Sequence, residues 1–402
     1  MTPDDANAAG SDAAAAAMLA TIAPPVATSD DAAFPTTPAV VALLDADGAV
    51  VTIAATGDAR AFIARRATDT TGGAVTHARV APCASMFEAD CLFLELAALL
   101  TPESWRHAAD RWRAWFVRLD PADHAPAWKK HDLRDIAGAP VRPETFIGPF
   151  PDKHAAARAG RAIDDGFDLC REPPRLAQAP NAIACPYKEM GRCPAPCDGS
   201  ETMTSFRTRV ASVLAGARDG FEREIEIRAG RIRQHATAME FEQAAAEQDR
   251  VDAIAQFTKP SLRFARTFAD FGVLAILPAG RAGWARVMAH AGGATRWWYD
   301  VHAASPDAAL DAAGQAMAWA ERLAPTPALD DLSVRRIGLV CSHLFSRRKS
   351  SATLMPISPP PDEREVLRAA RKAAKIDADV PPPPKGRRAT GSEPEADPEP
   401  SR

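Results

Sequence analysis

Tyrosine is almost missing from this chain: 402 residues hold two, Tyr187 and Tyr299. Any chemistry that needs a phenol therefore has no donor ahead of Tyr187. Surplus positive charge is missing too, since 48 Lys and Arg stand against 52 Asp and Glu, for a net charge of -4. A protein that clamps duplex nucleic acid by charge is usually basic overall. Nucleic acid, if bound here, must meet a local basic patch or arrive through a partner. No run of about 18 apolar residues occurs, so no membrane-spanning helix is expected. Met1 to Asp5 is acidic and lacks a basic leader, which makes the Ala-rich run behind it a poor signal peptide. Seven cysteines without an export signal point to the cytoplasm, where clustered thiols are more often metal ligands than disulfides.

What is present is ordinary for a globular protein, 47% hydrophobic and 25% charged, long enough for two or three domains. Residues 1–33, mostly Ala, Asp, Thr and Pro, read as a disordered arm. A compact region opens at Phe34. Val40 to Leu44 and Val50 to Ile53 flank Asp45-Ala46-Asp47-Gly48, a strong hairpin signal. Gly57 to Arg66 reads as a helix capped by Asp58, and Phe87 to Leu100 and Pro102 to Val117 carry apolar residues at helical spacing. These make a small domain over 34–143.

Residues 148–200 are punctuated by Pro and Gly. No proline interrupts Phe206 to Phe257, and 203–258 is expected to be helical. A β-meander over Phe271 to Val301, a helix near 307–323 and an apolar element from Arg336 to Phe345 form a small α+β unit over 262–350. The Pro-rich stretch 376–402 reads as a disordered tail.

Four thiols crowd the loop-rich stretch: Cys170, then Cys185, Cys193 and Cys197. Thiolates on proline-shaped loops can converge on one tetrahedral ion or one iron–sulfur cube, and spacing does not separate zinc from iron–sulfur. The segment has little apolar content, so a bound metal would supply fold energy that a core cannot. The bland alternative is four buried or free cysteines. Cys83, Cys91 and Cys341 are scattered and read as core residues.

Gly148-Pro149-Phe150-Pro151, a helix, Cys170 and the block Cys185-x7-Cys193-x3-Cys197 together resemble the UvrC family of the excinuclease ABC system. The resemblance implies that Cys170, Cys185, Cys193 and Cys197 are ligands of a [4Fe–4S] cluster, with zinc as runner-up. Met239-Glu240-Phe241-Glu242-Gln243-Ala244-Ala245, followed by Asp249 and Ile254, is similar to the family's UVR motif, with Phe221 to Ala238 as the first helical arm. Such a hairpin implies docking on a UvrB-type protein. Phe241 would be its anchor, Ala244 and Ala245 would allow close approach, Glu242 and Asp249 would supply rim charge, and Ile254 would extend the contact. Glu247 and Gln248 depart from the motif, which commonly has Leu and Arg there. An ordinary hairpin in the protein's own core is the rival reading.

The family's first domain is a GIY-YIG nuclease, and Pro38 to Arg60 resembles its strand–turn–strand–helix start. Val41 stands where the first motif has Tyr, Thr52 and Ala54 where the second has Tyr and Gly, and Phe62 at the usual arginine. Glu95 alone matches the metal-binding position, and Mg or Mn is implied only if the nuclease is active. Arg60 and Arg65 are candidates to replace the lost arginine. Asp300, Asp307, Asp311 and His343 form no assignable Asp-Asp-His constellation, and no helix-hairpin-helix signature follows. Arg335, Arg336, Arg347, Arg348 and Lys349 are the best local basic patch, weak candidates for DNA contact.

The expectation is therefore a multidomain α+β protein: a small GIY-YIG-like α/β domain, a cysteine-rich linker, a UVR α-hairpin, a small α+β domain and disordered termini. It implies a nucleotide excision repair factor that docks a UvrB-type partner, meets DNA directly or through that partner, and lacks GIY-YIG cleavage. A divergent active endonuclease and a regulatory UVR adaptor outside repair are the alternatives.

Overall fold

Among the described residues, short β-prone apolar stretches pair into three four-stranded antiparallel sheets. The computed structural model describes residues 24–67, 75–323, 329–346 and 351–375, apart from the side chains of Trp298 and Tyr299. The expected arm before residue 24, the tail from 376, and Arg347, Arg348 and Lys349 lie outside the described residues.

The first sheet has the order β1 (Val26–Ala27), β4 (His77–Pro82), β2 (Ala39–Leu44), β3 (Val50–Thr56). Val26 pairs with Ala78, so ordered structure begins ahead of Phe34 and takes in part of the expected arm. The β2–β3 turn forms because Asp45 accepts from the amides of Asp47 at 2.9 Å and Ala49 at 2.8 Å, while Gly48 adopts φ 81°. Strand β2 is buried on both faces, which its unbroken Ala-Val-Val-Ala-Leu-Leu run requires. Ala39, Val41 and Leu43 share a core with Ala59 and Ile63 of α1 (Ala59–Ala67). Val40 and Ala42 face α2 (Met86–Leu100), whose Phe87, Phe93 and Leu94 lie in another core. Ser85 caps α2 by accepting from the Glu88 amide at 3.1 Å.

The helix expected over Pro102 to Val117 is a single turn, α3 (Trp105–Ala109), and the chain is already a strand at Trp115. The three tryptophans fit helical spacing, but Trp115-Phe116-Val117 suits a pleated surface better. The second sheet, β6 (Lys129–Asp132), β5 (Trp115–Arg118), β7 (Phe146–Phe150) and β8 (Arg266–Thr267), claims that stretch. The sheet therefore cuts across the expected boundary near 143. Its apolar face, Val117, Ile147 and Phe150, packs with Ala155, Ala156, Ala159 and Ile163 of α4 (Lys153–Gly166).

Beyond α4 come two short turns, α5 (Pro173–Leu176) and α6 (Pro186–Glu189), then three longer helices: α7 (Met203–Ala217), α8 (Glu222–Thr237) and α9 (Phe241–Ile254). The third sheet has the order β11 (Ala294–His302), β10 (Trp284–Ala291), β9 (Gly272–Pro278), β12 (Thr353–Pro356). Its meander matches the expected one. Strand β12 and the amphipathic α12 (Glu363–Ala373) extend this unit beyond the expected end at 350. One face of this sheet shares a core with α10 (Pro306–Arg322) and α12. The other face shares a core with α2 and α11 (Asp331–Leu344), which joins the first and third sheets.

Candidate metal centre and docking hairpin

The thiol segment starts where α4 stops. Phe167 ends that helix, and Asp168 turns the chain with a left-handed φ of 50° so that Leu169 and Cys170 enter the second sheet's core. Arg171 then staples the segment to itself. It donates to the Arg192 carbonyl at 2.8 Å and the Asp165 carboxylate at 2.5 Å, and its guanidinium lies over the Tyr187 ring at 4.9 Å. A second left-handed residue, Ala195 with φ 58°, bends the stretch between Cys193 and Cys197. Lys188 pins the far side by donating to Asp198 at 2.6 Å, which holds that carboxyl down at about 2.

All four segment cysteines are buried and unpaired by disulfide. They feel one another. Cys170 donates its S–H to the Glu172 carbonyl at 3.6 Å, and the neighbouring Cys170 lowers the Cys193 thiol, aided by the Ala195 amide and by Arg209 and Arg171. Cys193 beside it, with burial, pushes Cys170 up. Burial and the neighbouring Cys185, Asp198 and Cys193 raise Cys197. Leu169, Cys170 and Leu176 pack in the second sheet's core, and the rest of the segment has a local cluster of Ala182, Ala195 and Cys197. Among the described residues no three or more Cys, His, Asp or Glu side chains close around one point as a single-ion site. The donor set, four buried soft sulfurs with two arginines near, is of the kind that zinc or an iron–sulfur group takes.

Next in the chain stands the hairpin. Met239, at φ 60°, turns α8 into α9. Three large apolar side chains stand exposed on it: Met239 at 77%, Phe241 at 68% and Ile227 at 43%. Glu242, Ala245 and Asp249 are also exposed and Ala244 is half-buried. Asp249 already has a partner, since Arg192 of the thiol segment donates to it at 3.4 Å. Ile254 differs from the expectation: it is 1% exposed, packed in the second sheet's core where α9 crosses Gly166. It anchors the hairpin to the body instead of facing a partner.

The nuclease-like positions of the first domain are split between the two faces of its sheet, with Phe62 packed on the α1 face. Val41 pairs with Ala54, and Leu43 with Thr52, so Val41, Ala54 and Thr52 share the α1 face of the sheet. Glu95 sits on α2, across the sheet, and both its oxygens are held by Arg336 Nε and Nη2 at 2.6 and 2.7 Å. Arg60 is tied to the Phe34 carbonyl at 3.0 Å, and Arg65 lies over the Phe62 ring at 5.9 Å. Arg335 is buried, bonded to Asp110 at 3.0 Å. Arg335 and Arg336 therefore present no open basic surface. Asp300 holds its cross-strand partner Arg286 at 2.7 Å within the third sheet, and His343 of α11 meets Asp90 of α2 at 2.8 Å.

Sequence reasoning missed Asp168, Arg192 and Arg250 as partners, because pairs separated by 82 and 57 positions leave no local pattern.

Comparison with known proteins covers part of the chain. Residues 117–216 match the family model of the UvrC/Cho excinuclease middle domain. UvrABC system protein C from one strain of Thermus thermophilus is 33% identical over 115 residues, 28% of this chain and 19% of the relative. The same protein from a second strain of that species is 33% identical over 115 residues, 18% of its length. The chain thus spans about a fifth of the length of the curated relatives it matches. No solved structure matches it. The stretch from β5 to α7, with all four clustered thiols inside it, is similar to the middle domain of the UvrC/Cho excinucleases, and this likeness supports a UvrC relationship for the chain.

Proposed function

We propose that this protein is a UvrC-like factor of nucleotide excision repair that docks a UvrB-type partner through α8 and α9. One observation carries the reading: the matched segment with its four buried thiols leads directly into a hairpin whose Phe241 is 68% exposed. A large exposed aromatic beside small residues is the kind of anchor a helical partner buries. Cys170, Cys185, Cys193 and Cys197 would hold a [4Fe–4S] cluster, which when bound supplies cross-linking of an otherwise coreless loop. Arg171 and Arg209 offset the thiolate charge, and the segment's own hydrogen bonds keep the sulfurs facing inward.

The first domain acts as scaffold in this reading. Val41 is buried, and Glu95 is neutralised by Arg336 instead of being open to a divalent ion. DNA is met through the partner.

Anaerobically purified protein should contain about four iron and four sulfide per chain and absorb in the visible. It should bind a purified UvrB-type protein, and Phe241→Ala should weaken that binding by roughly tenfold or more. Binding unchanged by Phe241→Ala would remove the docking reading. Metal-dependent nicking of lesion-bearing duplex, lost in Glu95→Ala, would favour an active endonuclease instead.

A further inference from the structure

Two residues that flank the clustered thiols grip adjacent positions of α9. Asp168, two residues before Cys170, accepts from Arg250 Nε at 2.9 Å. Arg192, one residue before Cys193, donates to Asp249 at 3.4 Å. A turn further on, Ile254 is seated on Gly166, where an added Cβ would lie 2.5 Å from the isoleucine. Arg250 continues to Glu247 at 2.7 Å, Glu247 accepts from Arg228 at 3.2 Å, and Arg228 reaches Glu224 at 2.6 Å. A chain of opposite charges thus runs from the thiol segment through α9 into α8.

The base of the hairpin is set in the second sheet's core by Phe221, Ile254 and Phe257, and Arg228 lies over the Phe167 ring at 5.1 Å. Along the helices themselves, Arg228 is the one buried residue of α8 and Ile254 that of α9. The inner links of the charge chain are well shielded, with Arg228 and Glu247 side chains 8% and 12% exposed. Shielding strengthens such pairs relative to surface ones. Asp168 holds its carboxylate toward Arg250 from a left-handed backbone, which a non-glycine residue adopts at a cost. Arg192 and Asp168 each lie within two positions of a thiol, and the loop between them is held by Leu169, Cys170 and Leu176 in the second sheet's core and by a local cluster of Ala182, Ala195 and Cys197. Whatever sets the sulfur positions also sets these two side chains.

We propose that the four-cysteine segment controls the pose of the α8–α9 hairpin, with Asp168, Arg192 and Arg250 as positioning residues that transmit the ligation state of the thiols to the Phe241 face. The functional consequence rests on the docking reading above. With the thiols ligated, both grips are held and the hairpin presents Phe241 in one direction. With ligation lost, Arg192 leaves Asp249, Arg250 loses Asp168, and the hairpin swings on its Ile254 seat.

The test uses the full chain and two readouts, amide hydrogen exchange and affinity for a purified UvrB-type protein. Asp168→Asn with Arg192→Ala breaks both grips and leaves every thiol in place. It should speed exchange across 245–254 by roughly tenfold and weaken partner binding by roughly tenfold, with the amides of the three sheets unchanged. Cys193→Ser should move both readouts the same way. The charge exchange Arg192→Asp with Asp249→Arg should restore what Arg192→Asp loses, which a merely structural loop would not do. Unchanged α9 exchange in the Asp168→Asn, Arg192→Ala protein overturns the proposal. Phe241→Ala separates the two claims: weakened binding with normal α9 exchange keeps the docking reading, whatever the grip variants show. Intact binding in that variant sinks the docking reading, and the exchange data still decide the pose.

Discussion

At the scale of single residues, burial decides which charges are tolerated. His290 lies wholly inside the protein, bonded to Thr295 at 3.0 Å, and burial, with Arg336 nearby, brings it down to about 3. The unfolded chain takes up a proton near the ordinary value of 6.5, while the folded protein does so only near 3. Stability from keeping this ring neutral is complete above pH 6.5 and is lost as pH falls toward 3, at about 1.4 kcal/mol per unit. Between about pH 7 and pH 4.5 the protein should lose roughly 2–3 kcal/mol more than a His290→Gln variant, read from denaturant midpoints. Equal losses would contradict this. The Glu95–Arg336 pair, about 20% exposed on each side, carries a second prediction. Arg336→Ala should cost about 2–4 kcal/mol, because the carboxylate is left half-buried without its partner. Adding Glu95→Ala should recover part of that loss in a denaturation cycle. Additive effects would mean that the pair is not coupled.

At the scale of elements, the legible parts were those with a local cause. The β2–β3 hairpin is written in Asp45 and Gly48, α2 in its apolar spacing, and the meander in its short apolar runs and glycine turns. Where the pattern was ambiguous, pairing decided. Trp115 to Val117 fit a helix by spacing but are a strand because β6 and β7 lie on either side. Helix α12 was missed although its apolar positions Val366, Ala369, Ala370 and Ala373 follow helical spacing, since three of the four are alanines. The α4–α9 contact makes a sharp prediction. Gly166→Ala in a helix ordinarily gains about 1 kcal/mol. Here the new methyl meets Ile254, and the variant should instead lose about 1–3 kcal/mol. A stabilised variant in thermal unfolding would show that α9 can move aside freely.

At the scale of the whole molecule, stability is unevenly placed. The first and third sheets share one core through α2, which Phe116 and Phe146 of the second sheet also enter, and the other face of the second sheet has its own; the thiol segment beyond Leu176 rests on three small residues. With the proposed cluster bound, stripping it with a chelator should raise exchange over 170–199 by about a hundredfold or more, an order-of-magnitude figure for losing a structural site. The sheets should keep their protection. Cooperative loss of all three sheets would refute this division. The thiol-rich segment and the hairpin could be read from the chain because cysteine spacing and helical periodicity are local patterns. The sheathing of Glu95 by Arg336, the inward turn of Ile254 and the grip of Asp168 and Arg192 on α9 could not. Each joins residues separated by dozens to hundreds of positions, and such partners are chosen only when packed sheets bring them together. The amino-acid order by itself determined which segments bend, pair and hold thiols; the tertiary structure decided which charges meet, because a Coulomb contact depends on distance in space and leaves no periodic mark along the chain.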